Sequence, residues 1–261
     1  MRMIPGLPAL LAAALLHWSA GPAAREAHAA GEAAVPPAQD WSFNGFFGTF
    51  DRAALQRGLQ VFQVSCQACH SSKYLAFRSL QDIGYNEDAV TAIAASYTVV
   101  DGPDDSGEMF ERPGRPSDYR PLAYPNDLAA RAANGGALPP DLSLITKARG
   151  HGPDYIYALL IGYDEPPAEL ELPPGMYYNH YFPGEMIAMP PPLQEGLVEY
   201  HDGTQATVAQ MAADVTQFLH WLAEPKLEER KQTGLKVMLF LLILTGLLYA
   251  YKRRIWADVA H

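Results

Sequence analysis

Both cysteines of this 261-residue chain lie in one short motif, Cys66-Gln67-Ala68-Cys69-His70. A disulfide between cysteines two residues apart would close a small, strained loop. A structural zinc site would need two further soft ligands, and the chain has no second cysteine pair. The spacing instead matches attachment of a c-type haem, in which the two thiols bond to vinyl groups and the following histidine faces the iron. The motif therefore favours one covalent haem c over a redox dithiol or a metal site.

The residues before the motif predict a helix, whereas a thioredoxin-like dithiol would follow a strand. Asp51 is a favourable N-cap, and Leu55, Leu59 and Phe62 recur at helical spacing. The helix is expected to run into Cys66. This pattern supports haem attachment.

The first 29 residues have the organisation of a secretory signal peptide. Arg2 forms a short basic region, and Leu7–Leu16 is an apolar run that is too short to span a bilayer. Cleavage is expected after Ala29, with Ala24 and Ala30 as alternatives. An uncleaved N-terminal anchor is the competing interpretation.

A second apolar run, from Leu235 to Tyr251, predicts a membrane span. At about 1.5 Å per residue it would cross about 25 Å, near the lower limit for a hydrocarbon core. Lys252-Arg253-Arg254 come next as a basic stop. Because the signal directs export of the downstream chain, three parts are expected after it: an exported domain at 30–225, an anchor helix at 226–252 with its span at about 235–251, and a cytoplasmic tail at 253–261.

Charge limits the partners of the exported part. The whole chain has 29 acidic and 19 basic residues, a formal net charge of −10. Residues 30–233 retain 27 acidic and 13 basic residues, which gives about −14. Nucleic acid and anionic lipid headgroups are poor partners for such a domain, whereas a basic protein is a good one.

A haem held by His70 needs a second axial ligand if it is to serve electron transfer, and Met189 is the best candidate. Pro190 excludes helical geometry for Met189, and the Met-Pro-Pro-Pro-Leu sequence forms a stiff, extended strap that can hold a sulfur against iron. Met186 is the second choice. The remaining candidates are Met109, Met176 and Met211, or His151, His180 and His201 for bis-histidine ligation.

Four long segments and the final anchor carry a family resemblance. The segments are WSFNGFFGTFDRAALQRGLQVFQVSCQACHSSKYLAFRSL, AARAANGGALPPDLSLITKARGHGPDYIYALLIGY, YYNHYFPGEMIAMPPPL and EYHDGTQATVAQMAADVTQFLHWLAEPKLEERKQTGL. They resemble the cytochrome c1 family, the haem subunits of cytochrome bc1 complexes, over nearly all of the mature chain and in order. The signal and the acidic, Ala-rich composition resemble the proteobacterial type.

The resemblance implies a role for each residue of a haem site. Cys66 and Cys69 are the thioether positions, and His70 and Met189 are the axial iron ligands. Three further residues are implied around the haem propionates: Asn134, Arg149 and Tyr155. A guanidinium suits a propionate because its donors form a fork that matches a carboxylate.

The resemblance also implies an all-α, cytochrome c-like haem domain with long loops, plus one C-terminal transmembrane helix. Helices are expected at about 51–66, 87–98, 126–134, 153–162, 205–222 and 227–252. The first and last helices of the domain should cross at Gly58, near Phe218 and Trp221. Pro- and Gly-rich segments at 102–125, 134–140 and 164–192 should form ordered loops, and Pro225 should separate the domain from the anchor.

The implied function is electron transfer within a ubiquinol–cytochrome c oxidoreductase. The chain would take one electron at a time from the Rieske iron–sulfur protein and pass it to a cytochrome c-type acceptor, expected to be basic. Quinol chemistry would lie on cytochrome b, so the isolated chain is not expected to be an enzyme.

The chain would cross a bacterial inner membrane once, with its anchor in lipid, its haem domain in the periplasm and its C-terminus in the cytoplasm. A free membrane-tethered electron shuttle and a haem enzyme with an open sixth position are the alternatives.

Overall fold

The computed structural model describes residues 34–258, so the predicted signal peptide and the last three residues of the predicted tail lie outside the described residues. The helices in chain order are α1 (Arg52–Val61), α2 (Glu87–Ala95), α3 (Asp127–Ala133), α4 (Ile145–Ala148), α5 (Pro153–Ile161), α6 (Val208–Ala223) and α7 (Leu227–Ile255). A π-helical turn, Phe62–Cys66, continues α1, and a 3₁₀ helix covers Phe77–Ile83. Each helix predicted from the sequence is present; α4 and the 3₁₀ helix were not predicted.

Two small antiparallel sheets lie within the predicted loops, so the domain is mostly helical rather than all-α. In the first sheet, β1 (Thr98–Asp101) pairs with β2 (Phe110–Pro113). In the second, β3 (Tyr177–Tyr178) pairs with β4 (Met186–Ile187). Strands of two to four residues are too short to give a period-two pattern in the sequence.

The α1 and α6 helices cross at Gly58, as predicted, and form the centre of the core. A Cβ atom at Gly58 would lie 2.1 Å from the Asp214 carbonyl oxygen and 2.7 Å from the Phe218 Cβ atom. The Asp214 carboxylate is fully buried and accepts hydrogen bonds from the Arg57 guanidinium at 2.9 and 3.0 Å. Phe62 packs on Phe218 with ring centroids 5.7 Å apart. Because the Cys-x-x-Cys-His motif comes directly after α1, this crossing fixes its position in the domain.

The α7 helix is uninterrupted over 29 residues. Among the described residues it is the one helix long and apolar enough to cross a membrane, with a mean hydropathy of 1.9 and none of that stretch buried. Only Glu224, Pro225 and Lys226 separate it from α6. Glu224 pairs with Lys147 of α4 at 2.6 Å and with Arg230 of α7 at 3.4 Å. The junction is therefore short and braced by ion pairs.

Candidate haem site

His70 is held in the form that an iron ligand requires. Its Nδ1 atom lies 2.8 Å from the Pro140 carbonyl oxygen. Because a carbonyl only accepts, Nδ1 carries the proton and donates it, which leaves a lone pair on Nε2. Burial lowers the pKa of His70, although the Pro140 carbonyl and the Asp141 carboxylate act in the opposite direction. The imidazole is thus neutral, with Nε2 able to bind a metal.

The segment Pro139–Ser143 fixes the chain just after the histidine. The Leu142 N–H donates to the Ser71 carbonyl oxygen at 2.8 Å. The Asp141 carboxylate accepts a hydrogen bond from the Lys73 N–H at 3.0 Å. The segment Pro139–Ser143 lies in one of the stretches that resemble the family. It positions the backbone on the His70 side of the motif.

Cys66 and Cys69 are free thiols in the turn that ends the first helix. The N–H groups of Cys69 and His70 both donate to the Cys66 carbonyl oxygen, at 3.2 and 2.9 Å. Burial raises the pKa of the Cys66 thiol to about 12, while the nearby Arg120 acts in the opposite direction. A thiol that resists ionisation is a poor redox nucleophile, which disfavours a dithiol site. No group of three or more His, Cys, Asp or Glu side chains in residues 34–258 could hold a metal ion.

Met189 is half-buried, and hydrogen bonds restrain its strap on both sides. The Tyr163 hydroxyl donates to the Met189 carbonyl oxygen at 3.1 Å. Ser65, the residue before the first cysteine, donates its hydroxyl hydrogen to the Pro192 carbonyl oxygen at 2.6 Å. The strap is therefore attached to the residue that precedes the haem motif, whereas Met186 lies in β4.

Five of the other candidates for the second iron ligand are less favourably placed, while Met176 is half-buried in the 164–192 loop. Met211 is fully buried in the core, and Met109 is exposed in the β1–β2 loop. His151 and His201 are exposed, and His180 faces the Asp164 carboxylate at 3.3 Å. Ligation by Met189 stays a prediction, supported by the position of its strap.

Two of the three residues expected around the propionates are neighbours. Burial raises the pKa of Tyr155, and the charge of Arg149 acts in the opposite direction. Arg149 is exposed, and its guanidinium donates to the Ala148 carbonyl oxygen at 3.3 Å without a carboxylate partner among the described residues. The Asn134 amide already donates to the Tyr124 hydroxyl at 3.1 Å. Roles at the propionates stay predictions, and Arg149 offers a charged group with free donors.

A buried cation beside the motif was not predicted from the sequence. Arg120 is only 6% exposed, and its guanidinium carbon lies 4.7 and 4.9 Å from the ring centroids of Phe62 and Tyr97. It donates to the side chain of Gln67, inside the Cys-x-x-Cys turn, while its Nη1 atom has no partner among the described residues. Nothing in the spacing of the arginines within residues 102–125 distinguishes it.

These donors fit a covalently attached haem c. Thioether bonds need two thiols at this spacing, and His/Met ligation of the iron needs a neutral imidazole and a thioether. The unpaired guanidinium of Arg149 suits an anionic propionate. The residues present therefore include a suitable group for each contact.

Comparisons with known proteins identify the family of this chain. The model of the Cytochrome C1 family matches residues 41–259. Cytochrome c1 of Rhodospirillum rubrum is 52% identical over 239 residues, which cover 85% of this chain and 88% of that protein. A protein of Saccharomyces cerevisiae named cytochrome c1, heme protein, mitochondrial, is 52% identical over 224 residues, or 85% of this chain and 72% of that protein.

A longer relative shows the same similarity over part of its length. Cytochrome b/c1 of Bradyrhizobium diazoefficiens is 52% identical over 245 residues, or 85% of this chain. The match covers 36% of that protein, so this chain spans about a third of its length. Since the family model covers most of the chain and the similarity includes the whole Cys-x-x-Cys-His region, the chain belongs to the cytochrome c1 family.

Proposed function

We propose that this chain is the haem-carrying electron-transfer subunit of a cytochrome bc1 complex. The observation that carries the proposal is the position of His70, directly after two thiols and held by Pro140 with Nε2 free. Membership of the cytochrome c1 family supports it. In this role the chain takes one electron at a time from the Rieske iron–sulfur protein and passes it to a cytochrome c-type acceptor.

The residues of the site divide the work of holding the cofactor. Cys66 and Cys69 would attach haem c, and His70 Nε2 and Met189 Sδ would bind its iron. When bound, the haem supplies a one-electron iron couple, whose reduction potential a thioether ligand raises. Ser65 and Tyr163 restrain the strap, so that the Met189 sulfur stays in place.

Quinol oxidation belongs to another subunit in this proposal. It releases two electrons and two protons, whereas one haem stores one electron. We therefore assign quinol chemistry to cytochrome b and no catalytic step to this chain. The braced junction at Glu224 favours a fixed mount beside cytochrome b over a free shuttle, which would need a flexible linker.

The location is inferred from the two ends of the chain. The predicted signal exports the haem domain to the periplasm, and α7 crosses the bacterial inner membrane with its C-terminus in the cytoplasm. Basic residues lie on both sides of the span, with Lys226, Arg230 and Lys231 before it and Lys252, Arg253 and Arg254 after it, so the orientation rests on the predicted signal.

Gentle solubilisation of the membranes tests the proposal. Cytochrome b and the Rieske protein should copurify with this chain in a constant ratio. A free shuttle would purify alone. Carbon monoxide binding by the reduced protein at neutral pH would instead indicate an open sixth position and a haem enzyme.

Replacing Arg149 with alanine should lower the haem reduction potential by roughly 30–60 mV, where 59 mV is a tenfold change in a one-electron equilibrium. The guanidinium offsets a propionate charge that favours ferric iron. Stability should change little, because Arg149 is exposed. Redox titration measures the effect, and Arg115→Ala, at another exposed arginine, is the control. An unchanged potential and haem content would make Arg149 a solvated loop residue.

Replacing Arg120 with glutamine should also lower the potential, because it removes a buried positive charge beside the attachment turn. Arg120→Lys keeps the charge but loses the planar stacking on Phe62 and Tyr97, so it should retain most of the potential. Redox titration of both variants separates charge from packing. If both variants lowered the potential by the same amount, Arg120 would act through its packing and not through its charge.

Electron transfer to a lysine-rich cytochrome c should slow several-fold as ionic strength rises through 0.1 M, where charges are screened over about 10 Å. Of the acidic residues after the strap, Asp202 pairs with Arg57 at 2.7 Å and Glu195 accepts from the start of α6 at 3.0 Å, whereas Glu199 is exposed. Glu199 follows the strap that carries Met189, whereas Glu108 lies in the β1–β2 loop. Glu199→Gln should therefore flatten the salt dependence of the rate more than Glu108→Gln. A salt-independent rate would contradict a freely diffusing basic acceptor.

A further inference from the structure

A loop before α1 turns two phenylalanines outward. Trp41, Phe43 and Phe50 are buried, whereas Phe46 is 55% and Phe47 82% exposed. The two outward rings meet edge to face with centroids 4.9 Å apart. We call residues 43–48 the aromatic loop.

The aromatic loop is fastened to the first turns of the anchor helix. The ammonium of Lys231 donates to three of its backbone carbonyl oxygens, which uses all three donors. These oxygens belong to Phe43 at 2.7 Å, Gly45 at 2.6 Å and Gly48 at 3.1 Å. One turn earlier on α7, the Glu228 carboxylate accepts from the Phe50 N–H at 2.7 Å and binds both terminal nitrogens of Arg52 at 2.9 and 2.8 Å.

The conformation of the aromatic loop is tightly determined. The Thr49 N–H donates to the Ser42 carbonyl oxygen at 3.0 Å and closes the loop. Gly45 has a φ of +69°, which favours glycine. A Cβ atom at Gly48 would lie 1.9 Å from the Asn44 carbonyl oxygen. Phe46 and Phe47 therefore form the tip of a preformed loop. Moving their rings out of water would cost little conformational entropy.

The tip lies close to the start of the predicted membrane span. Lys231 precedes Leu235 by four residues, which is about 6 Å along a helix. Phenylalanine is among the apolar side chains that interfacial segments bury at the boundary between lipid headgroups and acyl chains. Two phenyl side chains bury at most about 150–250 Å² each, well below the about 1,000 Å² of a specific protein interface, so lipid fits them better than a protein partner.

We propose that Phe46 and Phe47 insert into the lipid interface beside α7 and give the exported domain a second membrane contact. Together with the ion-paired junction between α6 and α7, this contact would set the tilt of the domain relative to the bilayer. The inference rests on the proposed membrane span of α7.

Spin labelling of the full-length, haem-loaded chain in phosphatidylcholine nanodiscs tests the proposal. A nitroxide is placed at Phe47→Cys, at Leu241→Cys within the predicted span, and at Met109→Cys, which is 60% exposed in the β1–β2 loop. Covalent haem on a denaturing gel reports that each variant has matured. Collision rates with oxygen and with a water-soluble nickel complex are measured with the haem reduced. Oxygen should exceed nickel several-fold at positions 47 and 241, and the order should reverse at 109.

Each other outcome has a definite meaning. A label at 47 that behaves like the one at 109, with 241 in lipid, overturns the insertion but leaves the proposed span intact. Low collision rates with both reagents at 47 indicate a protein contact and overturn the lipid assignment. Water exposure at 241 overturns the span and the insertion with it.

Discussion

Met189→Leu is expected to leave the haem covalently attached but to lower its reduction potential by on the order of 0.1 V or more, within the roughly 0.8 V that axial ligands can set. Leucine fills a similar volume without a sulfur, so ferrous iron loses the ligand that favours it. The reduced variant should also bind carbon monoxide at the vacated position. Redox titration and absorbance spectra measure both effects.

Met186→Leu is the matched control, because it removes the same atom three residues away. Its potential should stay close to that of the parent, since Met186 lies in β4 and not in the proline strap. A variant at Met186 that loses the native spectrum, with an unchanged Met189 variant, would reverse the assignment.

Gly58→Ala is expected to destabilise the domain by about 3 kcal/mol, at the upper end of overpacking effects. The added methyl group would lie 2.1 Å from the Asp214 carbonyl oxygen, and backbone cannot move aside as a side chain can. For a domain of about 200 residues this corresponds to a fall in Tm of roughly 6–12 °C. Thermal unfolding of the haem-loaded protein measures it.

Gly234→Ala makes the same chemical change in α7, where no atom lies within 4 Å of the added Cβ. It should be neutral or stabilising by up to about 1 kcal/mol, because alanine is the better helix former. If the Gly58→Ala variant were as stable as the Gly234→Ala variant, α1 and α6 would be able to move apart at no cost in the free energy of unfolding. That result would contradict the close packing at their crossing.

Local patterns were sufficient to predict the haem motif and the longer helices, but not α4 or the 3₁₀ helix. The Asp51 side chain accepts from the N–H groups of Ala53 and Ala54 at 2.9 and 3.2 Å, as its N-cap position indicated. The spacing of Cys66, Cys69 and His70 indicated haem attachment because thioether chemistry fixes that spacing within one turn. The crossing at Gly58 was also predictable, since only a residue without a side chain allows such close approach.

The family resemblance added roles that local patterns did not indicate. Without it, Arg149 is an ordinary loop arginine, and its exposure in the structure agrees with that simple interpretation as well as with propionate binding.

The length and apolar character of α7 indicated a span from the sequence alone. The short strands were missed because pairing across a loop, rather than periodicity, creates them.

Only the tertiary structure showed how distant parts of the chain support the site. Pro140 holds His70 from 70 residues away, Ser65 holds the strap across 127 residues, and Lys231 holds the aromatic loop across more than 180. The burial of Arg120 likewise depends on aromatic rings from separate segments. Periodicity, motif spacing and apolar length report on neighbours along the chain, so they predicted the longer helices, the attachment motif and a candidate membrane span. Which groups meet after the chain folds back on itself depends on packing between elements, and only the folded structure decided those contacts.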